Sequence, residues 1–155
     1  MEFTAREDID VPIEQVFEMV TDFEVFERSA LRRGADVSRL DSLSRAGVGA
    51  KWRIAFEFRG KAREVDLEVT GFDRPNEISL HGKAQGIESN IKVELVALSR
   101  TRTRLQFWSG FKANTLSARL LLQSLKLARG TLNTRLGKRM ANLRRDMEDR
   151  YTRMA

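Results

Sequence analysis

Three short stretches of this chain hold residue types that could do chemistry: the carboxylates Glu64, Asp66 and Glu68, the single histidine His81, and the pair Gly47-Val48-Gly49. Neighbouring carboxylates can divide acid and base roles, a histidine titrates near neutral pH, and closely spaced glycines can cradle phosphate. Inventory narrows these options. One histidine and no cysteine leave no His-His or thiolate metal site, no cysteine nucleophile and no disulfide. His81 has parity opposite to Ile78 and Leu80, which points it toward solvent. Gly47-Val48-Gly49 lacks the third glycine and the following helix of a dinucleotide fingerprint, and no Gly-Lys-Ser/Thr phosphate loop is present.

The carboxylates are explained by the element that must carry them. With Arg59-Gly60 as a tight turn, Trp52 falls opposite Leu67, Ile54 opposite Val65, Arg53 opposite Asp66 and Lys51 opposite Glu68. One face of the hairpin is then apolar (Trp52, Ile54, Phe56, Phe58, Val65, Leu67, Val69) and the other is a ladder of opposite charges. A one-residue slip would bury the charges, so the register is strongly specified. Lys61 and Arg63 interrupt the apolar face near the hairpin tip. Either they reach to water along their alkyl stems, or Arg63 guards a pocket mouth and meets an anionic group there.

The surrounding pattern is mostly strand. Phe3, Ala5, Glu7, Ile9 and Val11 alternate with polar residues, Pro12 ends that strand, and Ile13, Val16, Phe17 and Val20 have the spacing of a short helix. Asp22 can cap a second short helix carrying Phe23 and Phe26 before Gly34. After the hairpin, Arg74-Pro75-Asn76 makes a turn into a strand with Ile78 and Leu80. Residues 87 to 98 and 103 to 112 form a last hairpin, and the wholly apolar Val96-Ala97-Leu98 calls for a bulge or for cover on both faces.

From Asn114 to about Tyr151 a helical pattern runs with no proline. Leu121, Leu125, Ala128, Leu132, Leu136, Met140, Leu143 and Met147 recur at steps of three and four, one apolar stripe down a helix of about 55 Å. Such a stripe needs a long partner surface, which a curved antiparallel sheet supplies. Gly130 and Gly137 share one face; close approach to the sheet or a ligand, a bend, or simple tolerance would account for them.

The length of 155 residues fits one domain over 1–155, and 41% apolar with 32% charged residues describes a globular protein. No apolar run is long enough to span a bilayer and no signal-peptide core follows Met1, so the expected location is cytoplasmic. The net charge is +6. From Lys112 onward eleven Lys and Arg face three acids, which is +8 and leaves −2 for residues 1–111. The basic excess therefore belongs to the carboxy-terminal helix. It is read as the solvated face of that helix, with a contact to an anionic membrane or nucleic acid as the sharper alternative; single-strand binders interleave aromatics, and this helix has only Tyr151.

The element order, strand, two short helices, about six further strands and a long helix, resembles the helix-grip superfamily of START and birch-pollen-allergen-like proteins, also called SRPBCC. The stretch Ile9-Asp10-Val11-Pro12-Ile13-Glu14-Gln15-Val16-Phe17 with Thr21-Asp22-Phe23 is similar to that family's first strand and helix. Gly47, Gly49, Trp52, Gly60, Val69, Pro75, Ile78, Leu95, Thr103 and Leu105 stand where such proteins commonly carry their glycines, strand apolars and late Thr-x-Leu strand. The resemblance implies an α+β helix-grip fold, a curved antiparallel sheet of about seven strands wrapped around the long carboxy-terminal helix, with a hydrophobic cavity between them.

Members of that superfamily bind lipids, sterols, polyketides, hormones or quinones, and a minority cyclise or dehydrate polyketides. The expectation is therefore a carrier or sensor of a small or medium hydrophobic molecule, with no cofactor and no metal. The alternatives are a polyketide-cyclase-type enzyme, or an adaptor reaching an anionic surface through its basic helix. On this reading Trp52, Ile54, Phe56, Leu67, Leu80, Ile91 and Phe107 floor a pocket, Leu121 and Leu125 cover it with Ala128 and Leu132, and Arg63 sits at its mouth. Arg63, Ser89 and Ser109 are the polar groups nominated for its interior, and no catalytic residue is assigned.

Overall fold

The computed structural model describes residues 1–154. In chain order it contains β1 (Glu2–Ile9), α1 (Ile13–Val20), α2 (Phe23–Arg32), β2 (Asp36–Arg39), β3 (Lys51–Phe58), β4 (Lys61–Asp73), β5 (Glu77–Ala84), β6 (Ile87–Ser99), β7 (Arg102–Ala113), α3 (Leu116–Leu127) and α4 (Arg129–Met154). The strands form one antiparallel sheet in the order β1-β7-β6-β5-β4-β3-β2. The long hydrogen-bonded return places β1 beside β7, and the helices cover one face of the sheet. This is the α+β helix-grip arrangement.

The β3–β4 hairpin has the register that its charge ladder dictates: Trp52 pairs with Leu67, Ile54 with Val65, Arg53 with Asp66 and Lys51 with Glu68. Arg59 and Gly60 take φ of 52° and 74°, the left-handed pair that a two-residue turn needs to match strand twist. A bulge between Val69 and Gly71 bends β4 against β5, and a second one between Ala97 and Ser99 resolves the apolar run at the end of β6. Val96 and Leu98 are left exposed there.

One expectation is corrected. The carboxy-terminal helix is not continuous: Thr115 caps α3 by accepting from the Ala118 amide at 3.1 Å, and α3 ends at Ala128, whose amide donates to the Leu125 carbonyl at 3.1 Å before the chain restarts as α4. The glycines in α4 do not mark a close approach. A Cβ on Gly130 or Gly137 would meet nothing within 4 Å, so the sheet does not press on them. The sheet has the expected seven strands, and β2 is the one whose residues the sequence did not mark: Asp36, Ser38 and Arg39 are exposed and only Val37 is half-buried, so it carries almost no apolar alternation.

The core lies in two adjoining clusters. One joins Ile9, Val11, Val16, Phe17, Leu95 and Leu105 to Met140 and Met147 of α4. The other joins Ala50, Trp52, Val69 and Ile78, with Phe23 and Phe26 of α2 packed on the Trp52 ring at 4.8 and 5.5 Å. Burying a side chain of Phe17's size contributes about 2–3 kcal/mol. Ionic contacts align α4 with β1: Arg144 lies 3.4 Å from Glu7, and the Asp10 amide donates to Glu148 at 2.9 Å. Thr103, fully buried, donates to the Val11 carbonyl at 2.8 Å and ties β7 to the start of α1.

Candidate functional site

Alternation places Phe56, Arg63, Val65, Gly82, Ser89, Phe107, Ser109 and Phe111 on the one sheet face that α3 and α4 cover. What holds α3 above them is local. Gly86 sits in the β5–β6 turn with φ +80°, and a Cβ there would lie 2.5 Å from Thr115 Oγ1, so only glycine lets the turn touch the cap of α3. The Asn114 amide donates to the Gly86 carbonyl at 2.6 Å, and its side-chain nitrogen donates to Glu88 at 3.2 Å. That donation, aided by the cations Lys83 and Lys112, holds the Glu88 carboxyl below its ordinary pKa. On the far side Arg59 of the hairpin turn donates to Ser124 of α3 at 2.7 Å.

Beneath α3 and the start of α4 lie two neighbouring apolar slots. The first, about 260 Å³, is lined by Phe56, Phe58, Val65, Ile87, Phe111, Leu121, Leu122 and Leu125, with Arg63, Glu64, Lys83 and Ser89 as its polar lining. The second, about 300 Å³, is lined by Met1, Phe3, Phe107, Ser109, Phe111, Leu125, Leu132 and Leu136. Phe111 and Leu125 belong to both and form the partition. Each slot is near the small end of ligand-site volumes, and both are apolar with few polar groups, the character of small-molecule sites.

The polar groups differ in their surroundings. Arg63 stands over the Phe58 ring at 5.6 Å and donates to the Phe58 carbonyl at 3.3 Å, which keeps its guanidinium at the hairpin end of the first slot. Ser109 is 4% exposed and opens onto the second slot among aromatic and aliphatic neighbours. The other large surface hollows are of a different kind. A groove of about 770 Å³ between α2 and α4 is lined by ionised side chains including Arg28, Arg32, Arg139, Asp146 and Arg153.

The structure brings Phe56, Arg63, Leu121 and Leu125 together around the first slot and Phe107 and Leu125 around the second. The remaining expected residues sit elsewhere. Trp52 is 1% exposed and belongs to the core, its indole nitrogen donating to Glu27 at 2.9 Å and Arg39 lying 5.1 Å from its ring. Ile54, Leu67 and Leu80 pack onto that core, and Ile91 is paired between Leu80 and Ser109 in the sheet. The proximal helix α2 covers this part of the inner face, which turns expected pocket floor into core. Phe111, Val65, Ile87, Leu122, Phe3 and Leu136 line slots without having been nominated; strand parity and helical spacing put them on the correct face, and nothing further singled them out.

His81 lies on the outer face, 3.7 Å from Glu88, and Glu64 and Asp66 flank Arg53 at 3.2 and 2.9 Å. Arg53 holds the Asp66 carboxyl below its ordinary pKa. Among the described residues no group of three His, Asp or Glu is placed to hold a metal ion, and no helix is long and apolar enough to cross a membrane.

Comparisons with known proteins agree with this geometry. The sequence description of polyketide cyclases/dehydrases and lipid-transport proteins matches residues 1–148. No curated protein matches the chain by sequence. Among solved structures, the Zhui aromatase/cyclase of a Streptomyces species superposes with a TM-score of 0.68 at 14% identity, over 97% of this chain and 95% of its own. TTHA0849 of Thermus thermophilus does so at 0.66 and 17%, over 95% and 97%. A START superfamily protein of Mycobacterium smegmatis gives 0.57 and 14%, over 86% and 95%.

Proposed function

Because the chain belongs to the polyketide cyclase/dehydrase and lipid-transport family, we propose that the two slots beneath α3 and α4 together hold one small or medium hydrophobic molecule, which the protein carries or senses. The observation that carries this reading is the pair of slots itself, lined mostly by aromatic and aliphatic side chains and sharing Phe111 and Leu125. A ligand burying about 250 Å² of apolar surface gains about 6 kcal/mol before the cost of its lost freedom. A half-exposed guanidinium such as Arg63 adds about 0–1 kcal/mol to an anionic ligand. Apolar fit therefore dominates selection, and Arg63 and Ser109 orient the bound molecule.

A lipid, polyketide or quinone-like compound has the required character. The test is mass spectrometry of an organic extract of the purified protein, alongside titration with an anilinonaphthalene sulfonate dye. The expected result is a stoichiometric apolar compound, or saturable dye binding, that is lost in Leu125→Trp while the variant stays folded. A wild-type protein that yields no compound and binds no dye saturably would overturn the proposal.

A further inference from the structure

Helix α3 is apolar on two opposite sides. Leu121, Leu122 and Leu125 face the first slot, whereas Leu116, Leu120 and Leu127 are 73%, 58% and 92% exposed. At 100° per residue these three fall within about 40° of one another, one stripe along the outside of the helix. Arg119 and Lys126 flank it on one side, both exposed, and the Ser124 side is held to the hairpin turn, where Arg59 and Lys61 are exposed beside Phe58. No acidic residue occurs between Glu94 and Asp146, so α3 carries no carboxylate at all. On the hairpin, Glu57 and Glu64 alternate to the opposite face from Phe58.

We propose that this surface docks on an anionic bilayer: the leucine stripe of α3 enters the headgroup boundary, and Arg119, Lys126, Arg59 and Lys61 meet lipid phosphates. A helix with an apolar stripe bordered by cations and free of acids suits that boundary, with long basic side chains reaching back to the phosphates. Charge complementarity decides the occupant. A second copy packed on the same stripe would set its cations against their own equivalents with no carboxylate to offset them. A nucleic-acid strand would find leucines where it needs stacking rings. The basic residues of α4 do not border an equivalent stripe: Met140 and Met147 are buried in the core, and between its exposed apolar residues Leu143 and Met154 stand the carboxylates Asp146, Glu148 and Asp149. The docked face borders the first slot, since Phe58, Leu121 and Leu122 line it from within, so a bound apolar molecule would lie next to the bilayer.

The test is cosedimentation with phosphatidylcholine vesicles and with vesicles containing about 30% phosphatidylglycerol, the anionic lipid that attracts basic surfaces. Wild type should pellet with the anionic vesicles and stay in solution with the neutral ones. Leu120→Asp/Leu127→Asp should weaken binding by about tenfold or more, and each of Arg119→Gln and Lys126→Gln by about fivefold, the weight of one basic residue near an anionic leaflet. The chain has no cysteine, so Leu127→Cys takes one environment-sensitive dye, whose emission should shift to the blue on anionic vesicles. Leu127 touches little of the protein, so its variants keep the wild-type melting temperature. Failure of wild type to pellet, unchanged binding by the Asp variant, or a wild-type dimer that Leu127→Asp splits would each overturn the proposal. Leu125→Trp separates this from the slot reading: it loses the apolar ligand and should bind vesicles as wild type does.

Discussion

Helices α3 and α4 come from one unbroken stretch of helix-forming sequence, yet they cover the sheet in opposite ways. α4 closes its end: Met140 and Met147 are buried with Ile9, Val11, Phe17 and Leu105, and Arg144 and Glu148 fasten it to the β1 end. α3 is held at its margins, by Gly86 and Asn114 on one side and Arg59 on the other; one slot remains beneath it and a second beneath its junction with the start of α4. The contrast teaches that close packing and open apolar space lie at different ends of the same helical cover. Close packing makes a core intolerant of lost volume, while a slot has already forgone those contacts.

The largest expected effect tests that division. Phe17→Ala, at the closed end, should cost about 3–5 kcal/mol in urea unfolding, whereas Leu121→Ala, whose side chain already faces a slot, should cost about 1–2 kcal/mol. Equal losses would break the comparison, because they would mean that α3 is packed as tightly as α4.

The sheet and the two short helices were more legible in the sequence than the helical cover. The β3–β4 register was readable because Arg53 opposite Asp66 and Trp52 opposite Leu67 had to agree at once, and Pro12 and Asp22 marked the short helices through backbone chemistry. Alternation assigns a face but not a depth. Trp52 and Phe111 share the inner face, and only the docking of α2, with Phe23 and Phe26 against the indole, makes one core and the other slot lining. The break at Ala128 left no trace because the stripe keeps its phase across it, and β2 was hidden by its polar edge residues. The outer leucines of α3 were passed over for a related reason: a stripe-seeking reading follows Leu121 and Leu125 and treats Leu116, Leu120 and Leu127 as surplus.

A smaller effect sharpens the open end. Arg63 stands at the hairpin end of the first slot, so Arg63→Gln should lower affinity for a carboxylate-bearing apolar probe by about two- to fivefold, and leave a neutral analogue of the same shape unchanged. Calorimetric titration with the matched pair reads the difference directly. Equal losses for both analogues would assign Arg63 a packing role through its stem rather than a charge role.

The smallest effect is a pH dependence that should appear in stability and not in the slots. Asp41 accepts from Arg39 at 2.5 Å and from the Lys51 and Leu43 amides at 2.7 and 2.9 Å, which pushes its carboxyl far below the ordinary range; Arg104 lowers Asp8 in the same direction. A carboxyl depressed on folding binds its proton more weakly in the native state than in the unfolded chain. Its contribution is therefore complete above the unfolded value near pH 4 and disappears as the pH falls through the folded value. Unfolding free energy should decline below about pH 4, and Asp41→Asn should make that decline shallower while lowering stability at neutral pH. These carboxyls sit at the β2–β3 connection and on the outer sheet face, away from Phe111 and Leu125. Affinity for a neutral apolar probe should accordingly stay level through the range in which stability begins to fall. A parallel fall in both would mean that the slots owe their shape to the β2 end of the sheet, and that the two regions are mechanically one.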